Sequence, residues 1–387
     1  MLHDATPKES PFLDFSDGGS VSMENPRYLS RQLLTYIGNK RALAKHLEAA
    51  VSKVKGRVGG RHLSTLDLFA GSGFVARLMK RHSRLVVAND FETYAAVTNR
   101  CYLTNQNEVD LDEVAQIVAG LNARADAGES VGGFIEALYA PHDDHDIQPG
   151  ERAFYTRDNA RRLDLYAQVI RELPEPARTL LLGPLLSRAS MHANTSGVFK
   201  GFYKNKQTGL GMFGGYASNA LKRILAPIRL EVPELSTYSS SYQVHQSDAN
   251  TLVARIPDVD LAYLDPPYNQ HPYGSNYFML NLLCDYQRPT DISHVSGIPT
   301  GWQRSGYNVR AQSPRLLIDL VERTPARFLL VSFNAEGFVA PEALNNALRA
   351  HGRVDEIVIP YTTFRGSRNL RERSISVNEH LFLLERS

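Results

Sequence analysis

The chain has 387 residues, with 43 Lys+Arg against 41 Asp+Glu and a formal net charge of +2. Its two cysteines, Cys101 and Cys284, exclude a disulfide-stapled scaffold and a four-thiolate zinc site, and no apolar run reaches the roughly 18 residues of a membrane span. Asp4, Lys8, Glu9, Asp14 and Asp17 interrupt the first twenty residues, so no signal-peptide core is expected and the chain reads as soluble and cytoplasmic.

Residues 1–25 mix Pro, Ser, Gly and acids without apolar periodicity, which predicts a mobile arm. Next comes Tyr36-Ile37-Gly38-Asn39-Lys40, a glycine turn ahead of a helical stripe formed by Leu43, Leu47, Ala50, Val51 and Val54. Such a turn at a helix N-terminus is placed to meet a carboxylate, and Lys40 adds a formal charge. Thr65 to Phe69 reads as a buried strand that runs into Asp67-Leu68-Phe69-Ala70-Gly71-Ser72-Gly73 and then a helix from Phe74 to His82. Glycines in that corner let the backbone turn tightly and approach a ligand. The last glycine of a dinucleotide fingerprint is replaced by Ala76, which favours a ligand without pyrophosphate, such as S-adenosylmethionine. A second strand, Leu85 to Ala88, ends in Asn89-Asp90, where a carboxylate can accept ribose hydroxyls or simply cap a helix.

The next strands come roughly 150 residues later, too far for an ordinary crossover. The interval shows helical patterns over 110–121, 160–173 and 177–192 and reads as an insertion, 104–235. Its charge is segregated. Residues 104–150 hold ten acids and one base, whereas 176–230 hold eight bases and no acid. The basic part contains Lys200, Lys204 and Lys206 interleaved with Phe199, Phe202 and Tyr203, which suits phosphate contact with wedging or stacking, or a loop with a hydrophobic anchor.

Strands at 242–246, 261–264, 328–333, 354–360 and 380–384 bring the total to seven, with helices predicted over 314–324 and 341–351. Alternation of strands and helices implies an α/β fold, a mostly parallel sheet with helices on both faces. Directly after the fourth strand stands Asp265-Pro266-Pro267-Tyr268. The prolines stiffen the strand exit, so the Asp265 carboxylate and the Pro266 carbonyl form a rigid acceptor pair for a planar amino group. Tyr268 supplies an aromatic face for the ring that carries it.

The order Tyr-Ile-Gly-Asn-Lys, Asp-x-Phe-x-Gly-x-Gly, long insertion, Asp-Pro-Pro-Tyr resembles the Dam-class adenine-specific DNA methyltransferases of the alpha arrangement, over residues 35–100 and 240–385. Ser247-Asp248, Val331-Ser332-Phe333-Asn334 with Gly337, and Tyr361 to Asn369 followed by Asn378-Glu379-His380 fit the same family. The stretch Asn269 to Asn281, with Tyr273, Asn276 and Tyr277, is similar to a branch found in restriction–modification systems. The resemblance implies a Rossmann-like, seven-stranded mixed sheet of the S-adenosylmethionine-dependent methyltransferase type. It divides the chain into a catalytic domain, 26–103 and 236–387, and an inserted, mainly helical target-recognition domain. It implies S-adenosylmethionine held by Tyr36, Gly38, Lys40, Asp67, Phe69, Gly71, Gly73, Asp90, Asp248 and Asp265. Methyl transfer to the 6-amino group of a flipped-out adenine in double-stranded DNA would then use Asp265, Pro266 and Tyr268, with no metal. Lys200, Lys204, Lys206, Arg365 and Arg368 are the DNA-contact candidates, Arg371 and Arg373 lying close to the last two. A cognate restriction endonuclease is the further partner implied, with the chain a monomer or weak dimer. The alternatives are amino methylation of cytosine or of RNA adenine, and an inactive DNA-binding regulator.

Overall fold

The computed structural model describes residues 23–215, 218–334, 337–362 and 376–387. Seven strands form one sheet in the order β3-β2-β1-β4-β5-β7-β6. They are β1 Leu63–Asp67, β2 Ser83–Asp90, β3 Ser241–Gln246, β4 Val259–Leu264, β5 Ala326–Asn334, β6 Gly352–Thr362 and β7 Ser376–Arg386. The first five are parallel, and β7 runs antiparallel to both β5 and β6. Every strand expected from the sequence is present; β1 is shifted by two residues, ending at Asp67 rather than Phe69, and the others are one to six residues longer than expected.

The chain lays down β1, β2 and β3 to one side and then returns to place β4 on the other side of β1. That reversal opens a crevice at the carboxyl ends of β1 and β4, where side chains from both directions meet. One face of the sheet is covered by the helices Ala44–Arg57, Phe74–Lys80 and Thr93–Leu103. The other is covered by Ala249–Leu252, Ser313–Arg323 and Pro341–Arg349, whose Leu317, Leu320 and Leu344 pack on Leu66, Ala262 and Leu329.

The interval between β2 and β3 is helical, as its periodicity implied. Two of its helices differ at their ends from the expected spans for a local reason. Leu111–Asp126 begins one residue late because Asp110 is its cap, accepting from the Asp112 and Glu113 amides. Arg157–Glu172 begins three residues early because Thr156 caps it through the Asn159 amide. The helix Ala177–His192 lies against Thr93–Leu103, so close that a side chain on Gly183 would start 2.5 Å from the Cys101 sulfur. Leu163, Leu165, Leu181 and Leu185 thereby join the same buried cluster as Leu47, Val51 and Met79. Burial of this much apolar side chain is what fixes the interval against the sheet.

The expected arm runs to residue 25; residues 1–22 lie outside the described part. Glu24 and Asn25 are not arm-like. Glu24 is buried and accepts from the Ser236 hydroxyl at 2.6 Å, and Asn25 caps the helix Pro26–Ser30. Apolar periodicity is a poor guide to a segment fixed by polar contacts.

Candidate functional site

Four carboxylates stand at the carboxyl ends of four neighbouring strands. Asp67 closes β1, Asp90 closes β2, Asp248 follows β3 and Asp265 follows β4. Between them lies a cleft lined by Phe69, Asp90, Glu92, Asp248, Asp265, Tyr273 and Tyr307, among others. It continues into a smaller recess walled by Lys40, Asp67, Gly71, Ser72 and Tyr263, with Tyr36, Gly38, Phe69 and Asp265 shared by both. The cofactor candidates Tyr36, Gly38, Lys40, Asp67, Phe69, Gly71, Asp90, Asp248 and Asp265 are therefore brought together. Gly73 stands one step behind, as the left-handed residue that starts the helix Phe74–Lys80, packed on Asn99.

The loops are tied by their own backbone. Oδ2 of Asp90 accepts from the Gly71 amide at 2.7 Å and Oδ1 from the Glu92 amide at 2.9 Å. The side chain of Asn89 joins the Leu68 and Ser247 carbonyls, linking the ends of β1 and β3. Asp248 caps the helix Ala249–Leu252 through the Thr251 amide and keeps its carboxylate at the cleft wall.

Burial governs the charges. Both oxygens of Asp67 are buried near the Phe69 and Ala76 amides, neither of which meets them with hydrogen-bond geometry, and burial and Asp265 push its carboxyl well above the ordinary range despite those amides. Burial raises Asp90 to about 6 and Glu92 to about 7, each partly offset by hydrogen bonds. Asp265 is raised to about 6, with burial outweighing the Lys40 ammonium.

The sequence places Lys40 to meet a ligand's carboxylate. Instead its Nζ lies 3.1 Å from Asp265 and 2.7 Å from Glu379, so it is already doubly paired within the protein. Tyr36 stacks on Tyr277 at 4.9 Å and on Tyr273 at 5.2 Å between ring centres, forming a wall of aromatic faces beside the Gly71 turn. Tyr277 accepts from the Ile37 amide, and Tyr273 donates to the Ile37 carbonyl. This explains why the stretch 269–281 and the Gly38 turn occur together: they form one layer. Tyr268 lies edge-on to Phe333, and its carbonyl accepts from the Phe338 amide.

A profile of the D12 class N6 adenine-specific DNA methyltransferases matches residues 36–295, from Tyr36 through β4 and the Asp265 loop. The chain belongs to this class. Type II methyltransferase M.NlaIII of Neisseria lactamica is 30% identical over 367 residues, 92% of this chain and 100% of the relative. Type II methyltransferase M.CviAII of Paramecium bursaria Chlorella virus 1 is 25% identical, covering 90% of this chain and 97% of the relative. Modification methylase StsI of Streptococcus sanguinis is 26% identical over 91% of this chain, which spans 52% of that protein.

In this DNA methyltransferase the basic insertion is only partly available for a partner. Arg178 pairs with Glu175, Arg188 with Glu231 and Arg229 with Asp126, while Arg223 donates to the Met191 and Ala193 carbonyls. Lys200, Lys204, Lys206 and Lys222 are exposed or partly exposed. Phe199 and Phe202 are buried against Phe154 and Phe278, which makes them the anchor of the loop and removes them as wedges. That loop docks beside the segment that follows Asp265-Pro266-Pro267-Tyr268: the Phe199 amide donates to the Asn276 carbonyl, and Lys200 Nζ lies 3.4 Å from His271 Nδ1. Arg365, Arg368, Arg371 and Arg373 lie outside the described residues.

Glu92, Tyr307, Asn308 and Glu379 are not singled out as site residues by the sequence. Tyr307 meets Phe69 edge-on at 5.2 Å, and Asn308 donates to the Asn269 carbonyl. Glu92 carries a local signal, as a second acid two positions beyond Asp90, and Glu379 stands in the segment Asn378-Glu379-His380 that fits the family.

Proposed function

We propose that the enzyme transfers a methyl group from S-adenosylmethionine to the 6-amino group of an adenine flipped out of duplex DNA. The observation that carries this reading is the continuous cleft running from Asp248 and Asp90, across the Gly71 turn, to the Asp265-Pro266-Pro267-Tyr268 loop. The residues suit the donor. Asp67 is an orphaned acceptor in the recess, where an ammonium group would satisfy it. Asp90 and Glu92 offer acceptors for ribose hydroxyls. Asp248 faces the adenine end, with Phe69 and Tyr307 as apolar walls.

When bound, the donor supplies an electrophilic methyl on a sulfonium. Everything else falls to the protein. A base must leave the stack to reach the site, at a cost of a few kcal/mol. Tyr268 then offers its face to the ring, and the Asp265 carboxylate and the Pro266 carbonyl accept the two amino hydrogens. Accepting both discourages the nitrogen lone pair from conjugating with the ring and aims it at the methyl. The gain is chiefly one of positioning and electrostatics. Asp265, raised to about 6, is suited to take the proton that the amino group loses.

Lys200, Lys204 and Lys206, beside the catalytic loop, are the phosphate contacts in this reading, with 104–235 as the target-recognition part of the chain. The Type II relatives support a place in a restriction–modification system, with a nuclease of the same sequence specificity as partner. Sequencing DNA from a bacterial host that expresses the chain tests the reading. Modified adenines confined to one short motif are expected; unmodified DNA, or modified cytosines, would overturn it.

A further inference from the structure

β7 runs against the rest of the sheet, and on it Glu379 lies opposite Asn334 of β5, 3% exposed. A buried acid is tolerated only with partners, and Glu379 has three. Its Oε1 accepts from the Ser332 hydroxyl at 2.7 Å and from Lys40 Nζ at 2.7 Å, and its Oε2 accepts from the Asn334 amide group at 3.3 Å. The same Lys40 ammonium lies 3.1 Å from Oδ1 of Asp265. One cation is thus shared between a carboxylate fixed within the sheet and a carboxylate that faces the cleft.

We propose that Glu379 is a positioning residue for methyl transfer: it anchors Lys40 from the reversed strand, so that the ammonium holds Oδ1 of Asp265 and leaves Oδ2 to accept the substrate's amino group. The inference rests on Asp265 as the amino-group acceptor. Without Glu379, the four-carbon stem of Lys40 would have one partner and no fixed direction. The sharing also divides the charge. Burial opposes the ammonium, yet Asp265 and Glu379 together hold Lys40 protonated well above its ordinary range. For Asp265, burial works against the charged form, Lys40 favours it, and Glu379 works against it. The other titratable groups near Asp265 are Asp67 from β1, Tyr263 on β4, Tyr268 in its own loop and Tyr273 from the helix Tyr273–Asn276. None of these is a cation.

The test is a single-turnover measurement of methyl transfer, with saturating donor and duplex DNA, across pH 5 to 9. Glu379→Gln is expected to lower the plateau rate about tenfold through misplacement of Asp265. It should also move the acid limb to lower pH by roughly half a pH unit or more, because a negative neighbour is gone. Lys40→Gln should move the limb the opposite way. A purely structural role for Glu379 would lower the rate or the melting temperature without moving the limb. Should Glu379→Gln fail to fold, Glu379→Asp keeps the charge but withdraws it from Lys40, and the limb should move in the same direction by less. A limb that stays in place or moves upward in the folded Glu379 variant overturns the proposal. Absence of methyl transfer by the wild-type enzyme would instead overturn the role given to Asp265.

Discussion

The ring of Tyr36 lies across the turn at Gly71: a side chain on Gly71 would begin 2.8 Å from the ring's Cε1 and 2.9 Å from its hydroxyl oxygen. Gly71 also has φ of +48°, where an L-residue is strained. Two motifs 35 residues apart in sequence therefore share one van der Waals surface.

Gly71→Ala should cost about 1–3 kcal/mol of stability through strain and the displaced ring. Affinity for S-adenosylmethionine should fall with it, since the displaced ring lines the cleft. Gly56→Ala is the control. Gly56 lies in the helix Ala44–Arg57 with nothing within 4 Å of the place an alanine methyl would take, and alanine there should gain about 0.5–1 kcal/mol. Thermal unfolding and calorimetric titration check both, and equal melting temperatures for the two variants would refute the packing argument.

Asp67, Asp90, Glu92 and Asp265 are all raised by burial, the middle two to about 6 and about 7 and Asp265 to about 6. The native state then binds protons more tightly than the unfolded chain between about pH 4 and pH 7. Their contribution to stability is present at low pH and is lost as pH rises through the native values. Glu48, Glu136 and Glu379 are lowered, so theirs is lost only as pH falls below about 4.5. Burial lowers His62, His192, His245 and His271, whose contribution is lost as pH falls through the same interval and so opposes that of the carboxyls. The carboxyl contribution is therefore read from a variant: the melting temperature of Glu92→Gln should gain on that of the donor-free wild type as pH rises from 5 to 8, while methyl transfer declines as pH is lowered. A difference between the two that stays constant from pH 5 to pH 8 would contradict this role of Glu92.

Lys200, Lys204 and Lys206 are exposed beside the Asp265 loop, and Arg178, Arg188 and Arg229 form ion pairs within the fold. Replacing the three lysines by alanine should reduce the slope of log affinity against log salt by about 0.9 for each phosphate no longer neutralised. Replacing the three arginines should leave that slope unchanged. Fluorescence anisotropy with labelled duplex DNA at several salt concentrations separates the two outcomes, and the reverse pattern would place the DNA elsewhere.

The sheet is legible in the sequence because β2 and β4 carry short buried apolar runs, Val86 to Ala88 and Leu261 to Leu264, which stand out between helices, and because β1, though it includes Ser64 and Thr65, leads straight into a glycine turn. The acids at their ends are legible because a strand end followed by glycine or proline is itself a local pattern. Lys40 can be picked out from its turn but not matched to its partners, since its two carboxylates come from 225 and 339 residues further along the chain. Glu379 sits in an ordinary-looking alternating strand, and only the reversal of β7 carries it under the cleft. The charge blocks mislead in one respect. Counting residues treats Arg229 and Asp126 as members of opposed surfaces, yet they pair with each other. Phe199 and Phe202 look like ready wedges in a basic loop, and only packing on Phe154 and Phe278 shows that they hold the loop down.

The central claim is that Asp265 and its loop receive an adenine amino group opposite a methyl donor. The direct measurement incubates the protein with duplex DNA and methyl-labelled S-adenosylmethionine, digests the DNA to nucleosides and separates them by chromatography. Label should appear in N6-methyldeoxyadenosine with the wild-type enzyme. With Asp265→Ala it should fall at least about a thousandfold, while the variant still melts cooperatively. Label in a cytosine derivative, or undiminished label with Asp265→Ala, would contradict the account.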